Sequence, residues 1–354
     1  MSQSQPFAKP SVTVADVTAA DVTVVVPVGG AAPHWPRCVQ SLARLDPPPG
    51  EIVVVLDGPN DGHAAQAAEL DATVVVLDNQ GGPARARNRG AERAAGELLL
   101  FLDSDIEAPP GLVAQVAALF NAHPEMAAVM GSYDDSPGDP GFVSQYRNLL
   151  HHHVHQTGRE IASTFWAGCG AVRRSVFEAT GGFDAERYAV PSIEDIELGS
   201  RWVSAGHTVR LAKDLQVKHL KRWTLGGMIR TDLWCRAVPW TVLMLGAGEM
   251  VNDLNVKTRD RLSVALAFLP LGLAPAALAA WLLLPGTGLA PALLAAAVLA
   301  LILMVALNAP VFRFYRRVRG WLFAAGVVPL YWIYLLICGL GFGLGLLRHL
   351  LGRS

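Results

Sequence analysis

From Leu262 to Ser354 the chain has no Asp, Glu or Lys, and its only charged side chains there are Arg313, Arg316, Arg317, Arg319, Arg348 and Arg353. A stretch so poor in charge cannot form the outer surface of a soluble domain. It contains three apolar runs, 262–284, 289–311 and 321–347, each at or above the roughly 20 residues that a helix needs to cross a bilayer. Three transmembrane helices are therefore expected. Pro285-Gly286-Thr287-Gly288 forces a tight hairpin between the first two, and the arginines 313–319 crowd the next connection. Lys257, Arg259 and Arg261 precede the first run on that same side. Because positive charge marks the cytoplasmic face, the domain before residue 262 is expected in the cytoplasm, attached to the inner membrane of a bacterial-type cell, with the extreme C-terminus outside.

Removing that tail leaves 23 basic and 30 acidic residues in 1–261, a net charge of −7. A broadly basic nucleic-acid binder is excluded by this balance. Cys38, Cys169, Cys235 and Cys338 are scattered without a CxxC pair, so neither a disulfide framework nor a thiolate zinc site is indicated, and a reducing compartment is expected. Residues 1–21 lack an apolar core of the kind signal peptides carry and are expected to be a mobile leader.

From Val22 the pattern changes to short apolar runs, 22–28, 52–56, 73–77 and 98–102, alternating with helical stretches at 36–45, 62–70 and 82–95. Runs of this length and composition are buried parallel strands with crossover helices between them, the signature of an open α/β sheet. Ligands of such sheets gather at the carboxyl ends of the strands, and the residues just after each run are polar. Asp57 follows the second run in a Gly/Asn/Asp turn. The third is followed by Asn79-Gln80-Gly81-Gly82-Pro83-Ala84-Arg85-Ala86-Arg87-Asn88, glycines then arginines at a helix start, which suits a pyrophosphate. The fourth ends in Asp103-Ser104-Asp105, two carboxylates able to grip a hard divalent cation, Mg2+ or Mn2+.

Taken in order, these motifs resemble the family-2 glycosyltransferases, inverting enzymes with a GT-A fold, over residues 22–239. The resemblance implies that Asp57 contacts the nucleotide base and that Asp103-Ser104-Asp105 is the family's DXD metal motif. It also implies that Asp195, in Ile193-Glu194-Asp195-Ile196-Glu197-Leu198, is the catalytic base beside Glu194. His219-Leu220-Lys221-Arg222-Trp223 is similar to the (Q/R)xxRW segment of membrane-bound members, with His219 replacing Gln or Arg. Arg222 is then expected to assist the departing diphosphate and His219 to stand with the metal. Donor contacts are implied for Pro27, Asp57, Asn79, Gly82, Arg85, Asn88, Asp103, Trp166, Gly168 and Trp223. The stretch 164–170 resembles the lining of the donor sugar and acceptor, and Gly181-Gly182-Phe183-Asp184 the family's GGFDE-type loop. The altered (Q/R)xxRW segment and the small number of spans favour transfer of one sugar over processive synthesis.

The chemistry needs the same groups whatever the family: a base for an acceptor hydroxyl, and a Lewis acid with charge-assisted donors for the leaving diphosphate. The histidines at 151, 152, 153 and 155 lack acidic or Cys partners at metal-ligand spacing and are read as an exposed or interfacial face. Residues 223–261, with Trp223, Trp234, Trp240, Arg230 and Arg236 among apolar side chains, suit amphipathic helices at the headgroup level. The partners expected are a UDP- or GDP-linked sugar and a lipid or lipid-linked acceptor, with no nucleic acid. Two other readings stand beside this one: a non-catalytic membrane scaffold, and a membrane-bound nucleotidyltransferase.

Overall fold

The computed structural model describes residues 16–247 and 257–352. Its N-terminal part is a nine-stranded sheet in the order β3-β2-β1-β4-β8-β6-β9-β5, with β7 paired to β9. The first four strands, β1 (Val22–Gly29), β2 (Glu51–Asp57), β3 (Thr73–Val76) and β4 (Leu98–Leu102), are the apolar runs of the sequence. They pair in parallel, in a register that sets Gly29 beside Asp57. Every residue from Val22 to Val28 and from Leu98 to Leu102 is buried, as strands covered on both faces require. Helices α1 (Trp35–Leu42), α2 (Asp61–Ala67) and α3 (Gly82–Arg93) make the crossovers. A Cβ at Gly90 of α3 would overlap Val25 Cγ1, so the missing side chain lets this helix lie directly on the sheet.

Beyond β4 the topology turns mixed. β5 (Ile106–Glu107), α4 (Leu112–Ala122), β6 (Met126–Tyr133), α5 (Phe142–Gln156), β7 (Ile161–Ala162) and β8 (Cys169–Arg173) follow, then α6 (Arg174–Ala179), α7 (Glu194–Ser204) and the long β9 (Thr208–His219). β8 runs antiparallel between β4 and β6, and β9 is parallel to β6 but antiparallel to β5. That last pairing matches Ile106 with His219, which carries His219 to the acidic end of β4. Of the leader expected at 1–21, residues 16–21 are described. Val17 is buried; its N–H donates to Asn121 Oδ1 of α4 and its carbonyl accepts from Asn121 Nδ2, both 2.8 Å. Residues 1–15 lie outside the described residues.

After β9 come α8 (Leu225–Arg230), a π-helical segment Thr231–Ala237 and α9 (Val238–Ala247); the rest of the expected interfacial segment, 248–256, lies outside the described residues. Among the described residues three helices are long and apolar enough to cross a membrane: α10 (Thr258–Leu283), α11 (Leu289–Leu307) and α13 (Trp321–Leu350). The second is shorter than its apolar run, because Asn308 and Pro310 end it and start a separate amphipathic helix, α12 (Ala309–Arg319). Proline is at home in a first helical turn, where no N–H is needed. Asn308 is fully buried: its Nδ2 donates to Ser263 Oγ (2.8 Å), and its Oδ1 accepts from the Tyr331 hydroxyl (3.0 Å). Three apolar helices are thus tied together by one amide.

Helix α12 joins these helices to α5 and to the segment after β6 of the α/β domain. Tyr315 donates to Tyr146 O (2.6 Å), and the Arg319 guanidinium donates to Gln145 Oε1 and Asp135 O, both 2.9 Å. The chain continues into α13, whose Gly326 would overlap Phe142 if it bore a Cβ, and whose Gly341 lies against Ala237. The α/β domain and the apolar helices therefore share one packed cluster around Tyr146, Leu149, Tyr315 and Tyr331.

Candidate active site

At the carboxyl end of β2 both oxygens of Asp57 are in use: Oδ1 accepts from Gly81 N (2.7 Å) and Oδ2 from Gly82 N (2.9 Å). Gly82 has φ +83° and no room for a Cβ against Ala189 O, which accounts for the glycine at that turn. Asp57 thereby holds the loop that begins α3. From α3, Arg87 reaches back across the strand ends, only 4% exposed. Its two terminal nitrogens donate to Asp103 Oδ1 (2.7 Å) and to Glu194 Oε1 (2.9 Å). One guanidinium therefore spaces the end of β4 from the start of α7, with the fork geometry that only arginine offers.

The motifs of the sequence do not single out Arg87, although a signal exists. Ala84, Arg87 and Ala91 share the buried face of α3, whereas Arg89 is exposed and Arg85 is half-buried and pairs with Asn79 (2.6 Å). An arginine in register with small core residues is one that must find carboxylates inside.

Asp195 opens α7. Its Oδ2 accepts from Ala167 N (3.0 Å) and its Oδ1 from Ile196 N (2.8 Å). Burial, followed by the neighbouring Glu194 carboxylate, raises its pKa from the ordinary 3.8; Arg87 and the two N–H bonds oppose them, and the carboxyl settles at about 7. A carboxylate that binds its proton near neutral pH is matched to general-base work. Glu194 is itself held by Ser192 N (2.9 Å) and by Arg87.

Asp105 contrasts with Asp195. Burial works to raise its pKa too, but the adjoining His219 and then Lys221 outweigh it and hold the carboxyl down at about 2. His219 Nε2 stands 3.4 Å from Asp105 Oδ2. The other face of the ring is fixed by Asn148, whose Oδ1 lies 2.7 Å from His219 Nδ1 and accepts from Trp223 Nε1 at 3.2 Å. An indole N–H can only donate, so the Asn148 oxygen must face it, and His219 Nδ1 must then carry a proton. The Nε2 atom is then the ring nitrogen that faces Asp105. Tyr133 stacks flat on the ring, 4.2 Å away at 7°.

This donor set, a carboxylate oxygen and an imidazole nitrogen with Asp103 two residues away, fits a Mg2+ or Mn2+ ion that shares its coordination with diphosphate oxygens. Among the described residues no three metal-binding side chains converge. Asp103 is turned instead to Arg87.

One cavity of about 1380 Å³ gathers these groups, and Pro27, Asp57, Gly82, Asp103, Trp166 and Trp223 line it together with Asp105, Glu194, Asp195 and His219. Other expected residues lie elsewhere. Asn79 and Arg85 pair beside it, and Asn88 is spent on the Phe183 backbone, donating to its O (2.8 Å) and accepting from its N (2.9 Å). Gly168 leaves space for the Trp166 ring. Arg222 is exposed and outside the lining, where Lys221 stands instead, its Nζ 4.8 Å from the Trp223 ring centre. His151 and His155 also line the cavity, paired through their Nε2 atoms at 2.9 Å with ring edges toward Trp166.

Residues 23–181 match the model of Glycosyl transferase family 2. Among curated proteins, the pre-mycofactocin glycosyltransferase of Mycobacterium tuberculosis is 28% identical over 280 residues, which are 76% of this chain and 54% of that protein. The chain thus spans about half the length of these relatives. Over a shorter region of 108 residues, 28% of this chain and 19% of the relative, it is 32% identical to the poly(ribitol-phosphate) β-N-acetylglucosaminyltransferase TarS of Staphylococcus aureus. The fold is that of a mannosyltransferase from Pyrobaculum calidifontis solved with GDP-Man and Mn2+, with a TM-score of 0.54 at 19% identity over 94% of this chain and 88% of that one. Residues 23–181 thus carry a Glycosyl transferase family 2 domain with a GT-A-like fold, and three apolar helices follow it among the described residues.

Proposed function

We propose that the protein transfers a single sugar from a nucleoside-diphosphate sugar to a membrane lipid, with inversion at the anomeric carbon. The observation that carries this reading is the continuity of the cavity. The same cleft that holds Asp57, Asp103, Asp105 and Asp195 is walled further on by Val264 and Phe268 of α10 and by Tyr331, Leu335 and Phe342 of α13. A water-soluble acceptor has no use for such a wall, whereas a lipid could keep its chain among these side chains while its head meets Asp195.

In this reading Asp105 and His219 would hold a Mg2+ or Mn2+ ion, which would supply Lewis acidity at the diphosphate. The chain's own residues do the rest. Lys221 brings positive charge beside the leaving group, and Trp166 presents an apolar ring next to the base. Asp195 Oδ accepts the proton of the attacking hydroxyl, and Arg87 keeps Asp195 and Asp103 apart by bracing Glu194. The donor class draws support from the GDP-Man bound in the similarly folded mannosyltransferase. The basic helix α12 docked on the catalytic domain is consistent with a cytoplasmic active site, since Arg316, Arg317 and Arg319 then lie on the inner face.

The test is to incubate the full chain with UDP- and GDP-linked sugars, Mn2+ and extracted lipids, and to identify the products by mass spectrometry. One nucleoside diphosphate released per lipid gaining one sugar is expected. Pyrophosphate release would indicate nucleotidyl transfer, and no product with any donor would favour a scaffold.

A further inference from the structure

Beside the site carboxylates the cavity wall is built of rings whose polar atoms the transfer step leaves unused. Tyr133 of β6 lies edge-on to Trp166, 4.8 Å between centroids at 86°, and to His151 of α5, 4.4 Å at 66°; all three line the cavity. The Tyr133 ring is fixed by its stack on His219. Its side-chain hydrogen bonds are unmade: Ser132 and His152 bond its carbonyl, and the hydroxyl has no partner among the described residues. Burial first, then the charges of Asp105 and Asp103, push that phenol well above its ordinary range, opposed by Arg147 and reinforced by Asp195. A hydroxyl that feels carboxylates of both the β4 end and the α7 start stands between them. His151 brings a second polar atom. His155 Nδ1 faces the carbonyl of Gly131 at 3.0 Å, an acceptor only, so that nitrogen carries a proton. With both rings neutral, the 2.9 Å contact between the two Nε2 atoms takes its proton from His151. His151 Nδ1 is then an acceptor, and it has no partner among the described residues. Burial and the neighbouring His155 hold His151 well below the ordinary histidine range, which keeps it neutral.

In the transfer proposed above, the anomeric carbon is joined to the diphosphate near Asp105 and is approached from its opposite face by the acceptor at Asp195. The sugar ring must therefore occupy the space between those two carboxylates. We propose that Tyr133 and His151 determine which sugar is accepted, the phenol donating to a sugar oxygen and His151 Nδ1 accepting from a sugar hydroxyl. Trp166 offers its ring to the apolar C–H face of the same sugar. A hydroxyl suits such a pair because it both donates and accepts. A donor with no hydroxyl on that side of its ring would leave two polar atoms unpaired in a buried wall, and this is what makes rejection strong. The inference rests on the sugar-transfer reading with Asp195 as base, and it is independent of the acceptor's nature.

The test is isothermal titration of the full-length protein, in detergent with Mn2+, against GDP-mannose, GDP-glucose, UDP-glucose, UDP-galactose, GDP and UDP. Tyr133→Phe, which keeps the ring on His219, should lower the affinity for the tightest-binding nucleotide sugar by about 3-fold to 10-fold. Affinity for the corresponding bare diphosphate should not change. His151→Asn keeps an acceptor near the Nδ1 position and should retain the wild-type affinity. His151→Gln keeps one only near the Nε2 position and should lose as much as Tyr133→Phe. The reverse order, with Gln retaining affinity and Asn losing it, would make His151 a structural partner of His155 and overturn its role toward the sugar. Equal losses for nucleotide sugar and bare diphosphate, or no loss in Tyr133→Phe and His151→Gln, would overturn the sugar subsite and leave sugar transfer standing. A wild-type protein that bound none of these ligands would contradict the nucleotide-sugar reading itself.

Discussion

At the scale of single residues, two aspartates on neighbouring strand and helix ends differ in affinity for protons because their neighbours differ. Asp195, buried beside Glu194, is raised to about 7, and Asp105, beside His219, is held at about 2. If Asp195 is the base, Asp195→Asn should lower turnover by roughly 10²-fold or more while nucleotide binding is kept; near-normal turnover in a steady-state assay would remove it from that role. The wild-type rate should also rise with pH through about 7, where the carboxylate forms. The stability effect has the opposite sign. Between the ordinary 3.8 and about 7 the native protein holds a proton that the unfolded chain has lost, so this group's contribution to stability falls as pH rises through that window. The amide of the Asp195→Asn variant has no charge to bury, and thermal melts should show the variant gaining on the wild type from pH 5 to pH 8. Asn148 is a positioning residue: Asn148→Leu should weaken Mn2+ binding, measured in the presence of GDP, by about 10-fold to 100-fold. Asn148→Asp keeps an acceptor oxygen toward Trp223 and His219 and should retain the affinity. Equal losses in both variants would contradict a role through the His219 ring.

At the scale of elements, the four parallel strands and α1 to α3 were legible because each is a local pattern: an apolar run, a turn, then a helical stretch. Asp57, Asp103, Asp105 and Asp195 were legible for the same reason, standing at run ends or in short motifs. What escaped depends on distant partners. Asn148 sits in mid-helix and acquires its task only when β9 delivers His219 and Trp223 to it. The antiparallel insertion of β8 between β4 and β6 is a matter of tertiary pairing, and so is the π-helical turn under α13. Helix α12 was hidden by its apolar start, although Asn308-Ala309-Pro310 marks the break. Close packing of elements also sets a test: Gly90→Ala would drive a Cβ into Val25 and should cost about 1–3 kcal/mol in unfolding stability, as overpacking does. Because α3 carries Gly82 and Arg87, nucleotide affinity should fall with it. An unaltered melt would show that α3 does not lie on the sheet as described.

At the scale of the whole molecule, a nucleotide-sugar fold and three apolar helices are joined by α5, α12 and α13 around one cavity. The central claim is that an acceptor lipid reaches the base through that cavity. Full-length protein in lipid nanodiscs, supplied with Mn2+ and a donor carrying a radiolabelled sugar, should move the label into the organic phase on extraction. Val264→Trp, which adds bulk to the α10 wall of the cavity, should abolish that transfer while nucleotide binding persists. Label that stays in the aqueous phase as a glycosylated soluble product, or organic-phase label undiminished by Val264→Trp, would contradict the account.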